Sequence, residues 1–406
     1  MTTAAKNAKG PLFILMFNMF LAMVGIGLII PILPEYVIAF GATGQAMGFL
    51  VAAFGLTQFV FSPIAGEMSD RVGRKPLIVV GMLLFTISQV VFAIATDMWM
   101  LYASRLVGGA GVALMSAPMM AYVADITTED KRAQGIGLLG ASMSLGIVIG
   151  PGIGGFLSKL GMGVPFYTAA VLAGLSTIIS YFFLPETLSE DIRLKAKTSG
   201  VRRESLMKQM VTSTKAPYFM LLMLVFIFSF GLQNFEAIFG LYVNNKHAFT
   251  ATDISIIITV GALVGVVIQA VIFNWLVSKF GEKVIINLMF ILTAFSLVLM
   301  VYANSFWVIF ALTQLFFTAV SIIRPAVNTL LTKMVDDSEQ GFVAGMNNAY
   351  MSLGNIVGPT VAGVLFDKNV EFPYLLGAVV MVLSTIMFMS WSRNAKRLKP
   401  KASTTS

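Results

Sequence analysis

Gly66-Glu67-Met68-Ser69-Asp70-Arg71-Val72-Gly73-Arg74-Lys75 lies between two apolar runs that carry almost no charge. A stretch this short and this charged turns in water or among lipid headgroups, then sends the chain back into hydrocarbon. Gly66 and Gly73 give the freedom for a tight turn. Pro76 has no N–H to lose and suits the first position of the next helix. The rest of the chain can be placed relative to this hairpin.

Composition agrees with a hairpin in a membrane. Of 406 residues 57% are hydrophobic and 11% charged, whereas soluble domains carry about a quarter charged residues. Mean hydropathy is +0.87. The net charge of +8 would suit nucleic acid only with basic residues clustered on a soluble face. Here they lie in the connections between apolar runs, so the expected partner is the bilayer and not nucleic acid. Without cysteine, and with His247 the single histidine, disulfides, thiol catalysis and Cys- or His-based metal sites are excluded. No metal or cofactor is expected. The first apolar run, 12–38, is too long for a signal peptide and lacks a small-residue cleavage site.

A bilayer core takes about 20 apolar residues per helix. Windows of that length give an all-α integral membrane protein with twelve transmembrane helices: 12–38, 45–65, 77–96, 99–124, 134–157 and 164–184, then 217–243, 253–277, 284–303, 306–331, 341–366 and 373–392. The expected organisation is a six-helix half (1–184), a linker (185–216), a second six-helix half (217–392) and a basic tail (393–406). With the N-terminus in the cytoplasm, 22 of the 27 Lys and Arg fall on the cytoplasmic side and only Lys159, Lys246 and Lys368 outside. That asymmetry predicts both termini and the Gly66–Lys75 stretch on the cytoplasmic side of the cell membrane. Arg105 and Arg324 are left within helices.

The chain also repeats itself. Met143-Ser-Leu-Gly146-x-x-x-Gly150-Pro151-x-x-x-Gly155-x-Leu157 recurs 208 residues later as Met351-Ser-Leu-Gly354-x-x-x-Gly358-Pro359-x-x-x-Gly363-x-Leu365. At the same offset Arg71-Val-Gly73-Arg74-Lys75 becomes Lys279-Phe-Gly281-Glu282-Lys283. Two matches at one offset indicate two pseudo-symmetric bundles of like orientation, a transporter architecture with the substrate path between repeats.

On these residues the chain resembles the major facilitator superfamily. Gly66-x-x-x-Asp70-Arg71-x-Gly73-Arg74-Lys75 is similar to the family's loop after helix two. Gly146-x-x-x-Gly150-Pro151-Gly152-x-Gly154-Gly155 resembles the helix-five antiporter motif of its drug:proton branch, and Leu101-x-x-x-Arg105-x-x-Gly108-Gly109 the helix-four arginine motif. Gly27-Leu-Ile-Ile-Pro31-Ile-Leu-Pro34 is similar to the helix-one pattern of that branch, and Ser229-Phe-Gly231-x-x-x-Phe235-Glu236, Ile323-Arg324-Pro325-Ala326 and Gln340-Gly341-Phe342 resemble multidrug exporters of the Bmr/NorA type from Gram-positive bacteria. The resemblance implies a proton-coupled antiporter for hydrophobic, often cationic drugs and dyes, fluoroquinolones being one candidate class. Members of this type carry an acidic residue three positions before the helix-ten arginine, where this chain has Ser321.

Ionisable groups inside lipid-spanning helices are costly and mark a path or a proton site. Glu236 leads: it lies about 27 Å along helix seven from Tyr218, beside Gln233, Asn234 and Gly240. A carboxyl in apolar surroundings can exchange a proton near neutral pH. Arg105, about 10 Å into helix four, is expected to pair with Glu236 or Glu35. Glu35 follows Pro34 and equally suits the headgroup layer. Arg324 completes the proton-coupling set.

Gln314, Phe317, Ser321, Arg324 and Asn328 recur at steps of three and four and share one helical face. Phe54, Gln58 and Phe61 do the same on helix two, as do Asn348, Ser352 and Asn355 on helix eleven. Aromatics mixed with amides suit flat, amphiphilic molecules. The substrate-binding candidates are Met23, Phe54, Gln58, Phe61, Gln233, Phe317, Ser321 and Asn355, each of which core packing would also explain.

The gating candidates are Gly66, Asp70, Arg71, Gly73, Arg74 and Asp125 near the hairpin, and Gly150, Pro151, Gly154 and Gly155 in the repeated cluster. Asp125 is expected to pair with Arg71 or Arg74, and Asp70 is placed to cap a helix N-terminus. The Gly–Pro clusters allow close helix approach and either seal one face of the transporter or simply pack. A narrow-specificity sugar or polyamine porter and an integral-membrane enzyme are the alternatives. The first would want denser fixed polar groups, the second a catalytic cluster. No Gly-x-x-x-x-Gly-Lys-Ser/Thr loop is present, so ATP is not the expected energy source. A monomer is expected.

Overall fold

A computed structural model describes residues 9–190, 193–194, 206–335 and 339–395. Among them the chain is helical, with twelve helices long and apolar enough to cross a membrane. They are α1 (Lys9–Ala39), α2 (Gly44–Val72), α3 (Arg74–Ala93), α4 (Met98–Ile126), α5 (Glu129–Leu157) and α6 (Val164–Phe183), then α7 (Phe219–His247), α8 (Ala251–Phe280), α9 (Glu282–Tyr302), α10 (Phe306–Thr332), α11 (Gln340–Lys368) and α12 (Phe372–Ala395). All twelve expected windows hold a helix. The basic tail beyond 395, linker residues 191–192 and 195–205, and the Asp336-Asp337 pair lie outside the described residues.

The charged stretch is not a loop. Helix α2 runs on to Val72 and α3 starts at Arg74, so Gly73 alone makes the turn, at φ 122°. Its repeat, Gly281, joins α8 to α9 in the same way at φ 76°. Gly66 is helical, with open space where a Cβ would stand, and Pro76 falls at the third helical position of α3, where its missing N–H still costs no hydrogen bond.

In the first half α1 packs on α5 and α6, and α4 packs on α2 and α3. Gly146, Gly150 and Gly154, one per turn of α5, bring that helix onto the α1 backbone, where a Cβ would stand 2.6–2.8 Å from the carbonyls of Phe20, Val24 and Leu28. Small residues replace the hydrophobic drive that lipid cannot supply. A polar clamp adds to it: buried Asn18 of α1 donates to Ser180 Oγ at 2.8 Å and accepts from Ser176 Oγ, both on α6. In the second half α9 packs on α10 and α12. Helix α7 meets Gly354 and Gly358 of α11 through Phe226 and Phe230, as α1 meets α5.

Helix α2 is continuous through Pro63. Helix α8 is α-helical over Ala251–Val267, π-helical over Ile268–Ile272 and α-helical again over Phe273–Phe280.

The residues group into two compact units that cut across the sequence halves. One comprises Met1–Leu206, Glu236–Thr259 and Pro359–Asp367; the other Met207–Phe235, Val260–Gly358 and Lys368–Ser406.

Candidate functional site

Within the first unit, Arg74 is the centre of the charged cluster. It is 8% exposed, and its guanidinium donates to Asp70 Oδ1 at 2.6 Å, Ser69 Oγ at 2.9 Å and Asp125 Oδ2 at 3.2 Å. Of the two arginines considered for Asp125, Arg74 is the partner. Arg71 instead pairs with Glu67 one turn earlier on the surface, a contact worth a few tenths of a kcal/mol.

The N-terminus of α3 is capped from a distance. Glu186, just past α6, accepts from Arg74 N at 3.0 Å and Lys75 N at 3.2 Å, and its Oε1 also takes the N–H groups of Thr187 and Leu188. A Cβ on Gly73 would collide with this carboxylate, so glycine is required there by contact as well as by φ. Thr187 donates to Asp125 at 2.9 Å and Tyr122 to the Pro185 carbonyl at 2.7 Å. The start of the linker is thereby tied to α3 and α4. Glu186, Ser69 and Thr187 were not anticipated. The signal was an acid placed directly after the Pro185 that ends α6.

At the opposite ends of these helices lies a seam that joins distant parts of the sequence within the same unit. Gly155 of α5 abuts Ser255 and the Ala251 carbonyl of α8, while buried Ser255 donates to the Pro151 carbonyl and Thr252 to the Gly155 carbonyl at 3.3 Å. The repeat reproduces this. Gly363 of α11 abuts the Gly44 carbonyl of α2, and Gly48 abuts the Pro359 carbonyl. Carboxylates close both joints: Asp367 accepts from Gly44 N and Gln45 N, and Glu35 accepts from Ala251 N at 3.3 Å. Glu35 is therefore a helix cap for α8 and not the partner of Arg105. The three gating glycines and the proline of α5 divide by face: Gly155 and the Pro151 carbonyl meet α8, whereas Gly150 and Gly154 pack on α1.

Arg105 is 5% exposed and makes no hydrogen bond or ion pair to another described residue. The pairing expected with Glu236 or Glu35 is absent. Its guanidinium lies 5.4 Å from the Phe54 ring centre and 5.0 Å from that of Phe92. Two desolvated cation–π contacts supply about 2 kcal/mol each, against a burial cost of several kcal/mol, so the charge is tolerated without a carboxylate.

Met23 is in the core at 5% exposure, against Gly146 of α5, and is a packing residue rather than a substrate contact. Gln58 stays half-buried and Phe61 exposed on α2. Glu236 is half-buried on α7, one turn before Gly240, which rests on Pro34 of α1.

In the second unit the α10 stripe forms a single face. Gln314, Phe317, Ser321, Arg324 and Asn328 all keep exposed surface, while Thr313, Phe316, Ala319, Ile323 and Val327 are buried. Phe317 and Ser321 pack on Gly261 and Gly265 of α8, a small-xxx-small contact legible as Gly-x-x-x-Gly but passed over. Phe235 stacks with Phe316 at 4.1 Å between ring centres and meets Tyr374 edge-on at 5.8 Å. Asn234 is structural: it is 1% exposed and donates to the Pro373 carbonyl at 2.7 Å. Gln233 stands against Gly358, and Asn355 is half-buried on α11. Arg324 lines a crevice of about 10 Å³ with Phe228, Ser229, Asn328, Asn347 and Met351, room for one water. Among the described residues no cluster of His, Cys, Asp and Glu could hold a metal.

Comparison with known proteins gives a consistent picture. The profile of the Major Facilitator Superfamily matches residues 15–269 and 221–405. The chain is 39% identical to multidrug resistance protein 2 of Bacillus subtilis, over 96% of this chain and 97% of that one. It is 33% identical to the quinolone resistance protein NorA of Staphylococcus aureus, over 96% and 98%. Among solved structures, a bacterial homologue of the human lysosomal transporter Spinster superposes with a TM-score of 0.77 at 14% identity, covering 98% of this chain and 100% of that one.

Proposed function

Because this chain belongs to the Major Facilitator Superfamily and is a multi-pass membrane protein, we propose that it exports hydrophobic, often cationic drugs and dyes in exchange for protons. The halves 1–184 and 217–392 alternate access to a central site, joined by the linker 185–216. The observation that carries the reading is the seam. Two pseudo-equivalent Gly–Pro clusters press backbone against the opening turns of α8 and α2, through contacts each weak enough to be broken and remade. The excess of Lys and Arg on the linker side supports a cytoplasmic location for both termini and the 393–406 tail, with the seam outside.

Glu236 carries the proton in this reading, one turn from the seam contact at Gly240. Arg105 is a fixed positive charge that also sets the Phe54 ring. Phe54, Gln58 and Phe61 of α2, with Gln233, Phe317, Ser321, Arg324 and Asn355, contribute aromatic and amide surface for substrates without a fixed hydrogen-bonding pattern. The names of the relatives, multidrug and quinolone resistance proteins, support this class of cargo. The working unit is a monomer.

Inverted membrane vesicles with an acid interior test the proposal. Wild type is expected to take up dye against its gradient and Glu236→Gln to lose that uptake at equal insertion. Full proton-driven uptake by Glu236→Gln would overturn the assignment, and wild-type uptake indifferent to the pH gradient would overturn the coupling.

A further inference from the structure

An apolar trough of about 470 Å³ runs between α9 and α12. Its floor is made of small, buried positions, Ala294, Ala378 and Thr385, and Thr385 spends its hydroxyl on the Met381 carbonyl at 3.0 Å. Phe295 at 54% exposure and Val382 and Ile386 at 46% and 59% stand as its walls. From Ala378 to Met389 the trough follows α12 for about 16 Å, close to half the roughly 30 Å hydrocarbon core. It is one leaflet deep.

Its mouth is basic. At the end where α9 begins and α12 finishes, the Lys283 ammonium sits over the Trp391 ring at 5.5 Å, with Arg393 exposed one half-turn on. The neighbouring carboxylate, Glu282, is already engaged by Lys333. A tryptophan–lysine pair at a helix end marks the headgroup level, and basic groups between transmembrane helices on the cytoplasmic side suit anionic headgroups.

We propose that this trough is a binding site for an anionic phospholipid of the linker-side leaflet, with one acyl chain along α9 and α12 and the headgroup phosphate at Lys283 and Arg393. An apolar slot about one leaflet long, with two cations farther along the helices that form it, is the complement of such a molecule. A second copy of the chain fits less well. A two-fold contact buries the same patch on both partners and would set Lys283 and Arg393 against their own copies.

The test uses the full-length protein, delipidated in detergent and titrated with phosphatidylglycerol or phosphatidylcholine while bound lipid is counted by native mass spectrometry. Phosphatidylglycerol is expected to be retained in preference to phosphatidylcholine. Lys283→Gln should weaken it by about fivefold, the usual worth of one basic side chain at a charged membrane surface, and Lys283→Arg should restore it. Val382→Trp, which fills the trough from an exposed position, should lose it. Equal retention of both lipids, or phosphatidylglycerol retention unchanged in Lys283→Gln and Val382→Trp, would overturn the site. So would disulfide-linked dimers of Val382→Cys in vesicles, since the chain has no other cysteine and the trough would then be occupied by a second copy. None of these readouts involves transport, so the lipid site and the proposed export stand or fall separately.

Discussion

The Asp367 carboxylate accepts the backbone N–H of Gly44 at 2.7 Å and that of Gln45 at 2.9 Å, so the last turn of α11 supplies the anion for the first turn of α2. Capping and charge at a helix N-terminus are together worth about 1 kcal/mol. Asp367→Ala should therefore release this joint about fivefold more often. Met47→Cys, buried in the first turn of α2 that Asp367 caps, in a chain with no other cysteine, would report it through reaction with a membrane-impermeant maleimide. An unchanged labelling rate would show that Asp367 does not hold the seam.

Glycines should differ sharply in their tolerance of a methyl group. A Cβ at Gly48 would strike the Pro359 carbonyl, whereas Gly345, on the same α11 as Pro359, faces open space. Overpacking of this kind costs about 1–3 kcal/mol. Gly48→Ala is expected to lower dye export by roughly an order of magnitude at equal insertion, and Gly345→Ala to leave it intact. Export assays on the two variants side by side decide the point.

Glu186 gives a prediction about stability. Four backbone N–H groups depend on its carboxylate, so Glu186→Ala should cost about 2 kcal/mol, the upper end for loss of a cap. The purified variant should melt at a lower temperature than wild type. Asp70→Asn removes the charged acceptor for Arg74 and should reduce export without changing the amount of protein in the membrane.

Arg105 should not be replaceable by lysine. Its planar guanidinium meets two phenyl faces at once, while an ammonium is compact and more strongly hydrated. Arg105→Lys is expected to fall close to Arg105→Met in dye export. Near-wild-type export by Arg105→Lys would show that charge alone matters there.

Much of this architecture was legible in the sequence. The hydrophobic windows located the helices because a bilayer fixes their length, and the offset of 208 paired Gly155 with Gly363 and Gly73 with Gly281. The charged stretch was misjudged because charge was equated with loop. Yet Glu67 and Arg71 stand four apart, the spacing at which opposite charges support a helix, and α2 runs through both. What was not legible lies between elements. Nothing in α4 alone says that Arg105 would meet rings from α2 and α3 instead of a carboxylate. Nor does the α5 motif say that Gly150 faces α1 while Gly155 faces α8. A glycine pattern permits close approach without choosing the neighbour.

Pro63 of α2 and the π-helical turn of α8 occupy the same place in the repeat. The π-helical turn spans Ile268–Ile272, and 208 positions earlier stand Val60–Ile64, which include Pro63. Proline and π-bulges are two of the few causes of a sharp bend in a helix, and each leaves backbone carbonyls without their usual partners. Both copies thus place a bend-prone position at the same point along the repeat, in helices whose first turns are capped by Asp367 and Glu35. Since its chemical origin differs between the copies, Pro63→Ala would stiffen α2 and leave α8 as it is.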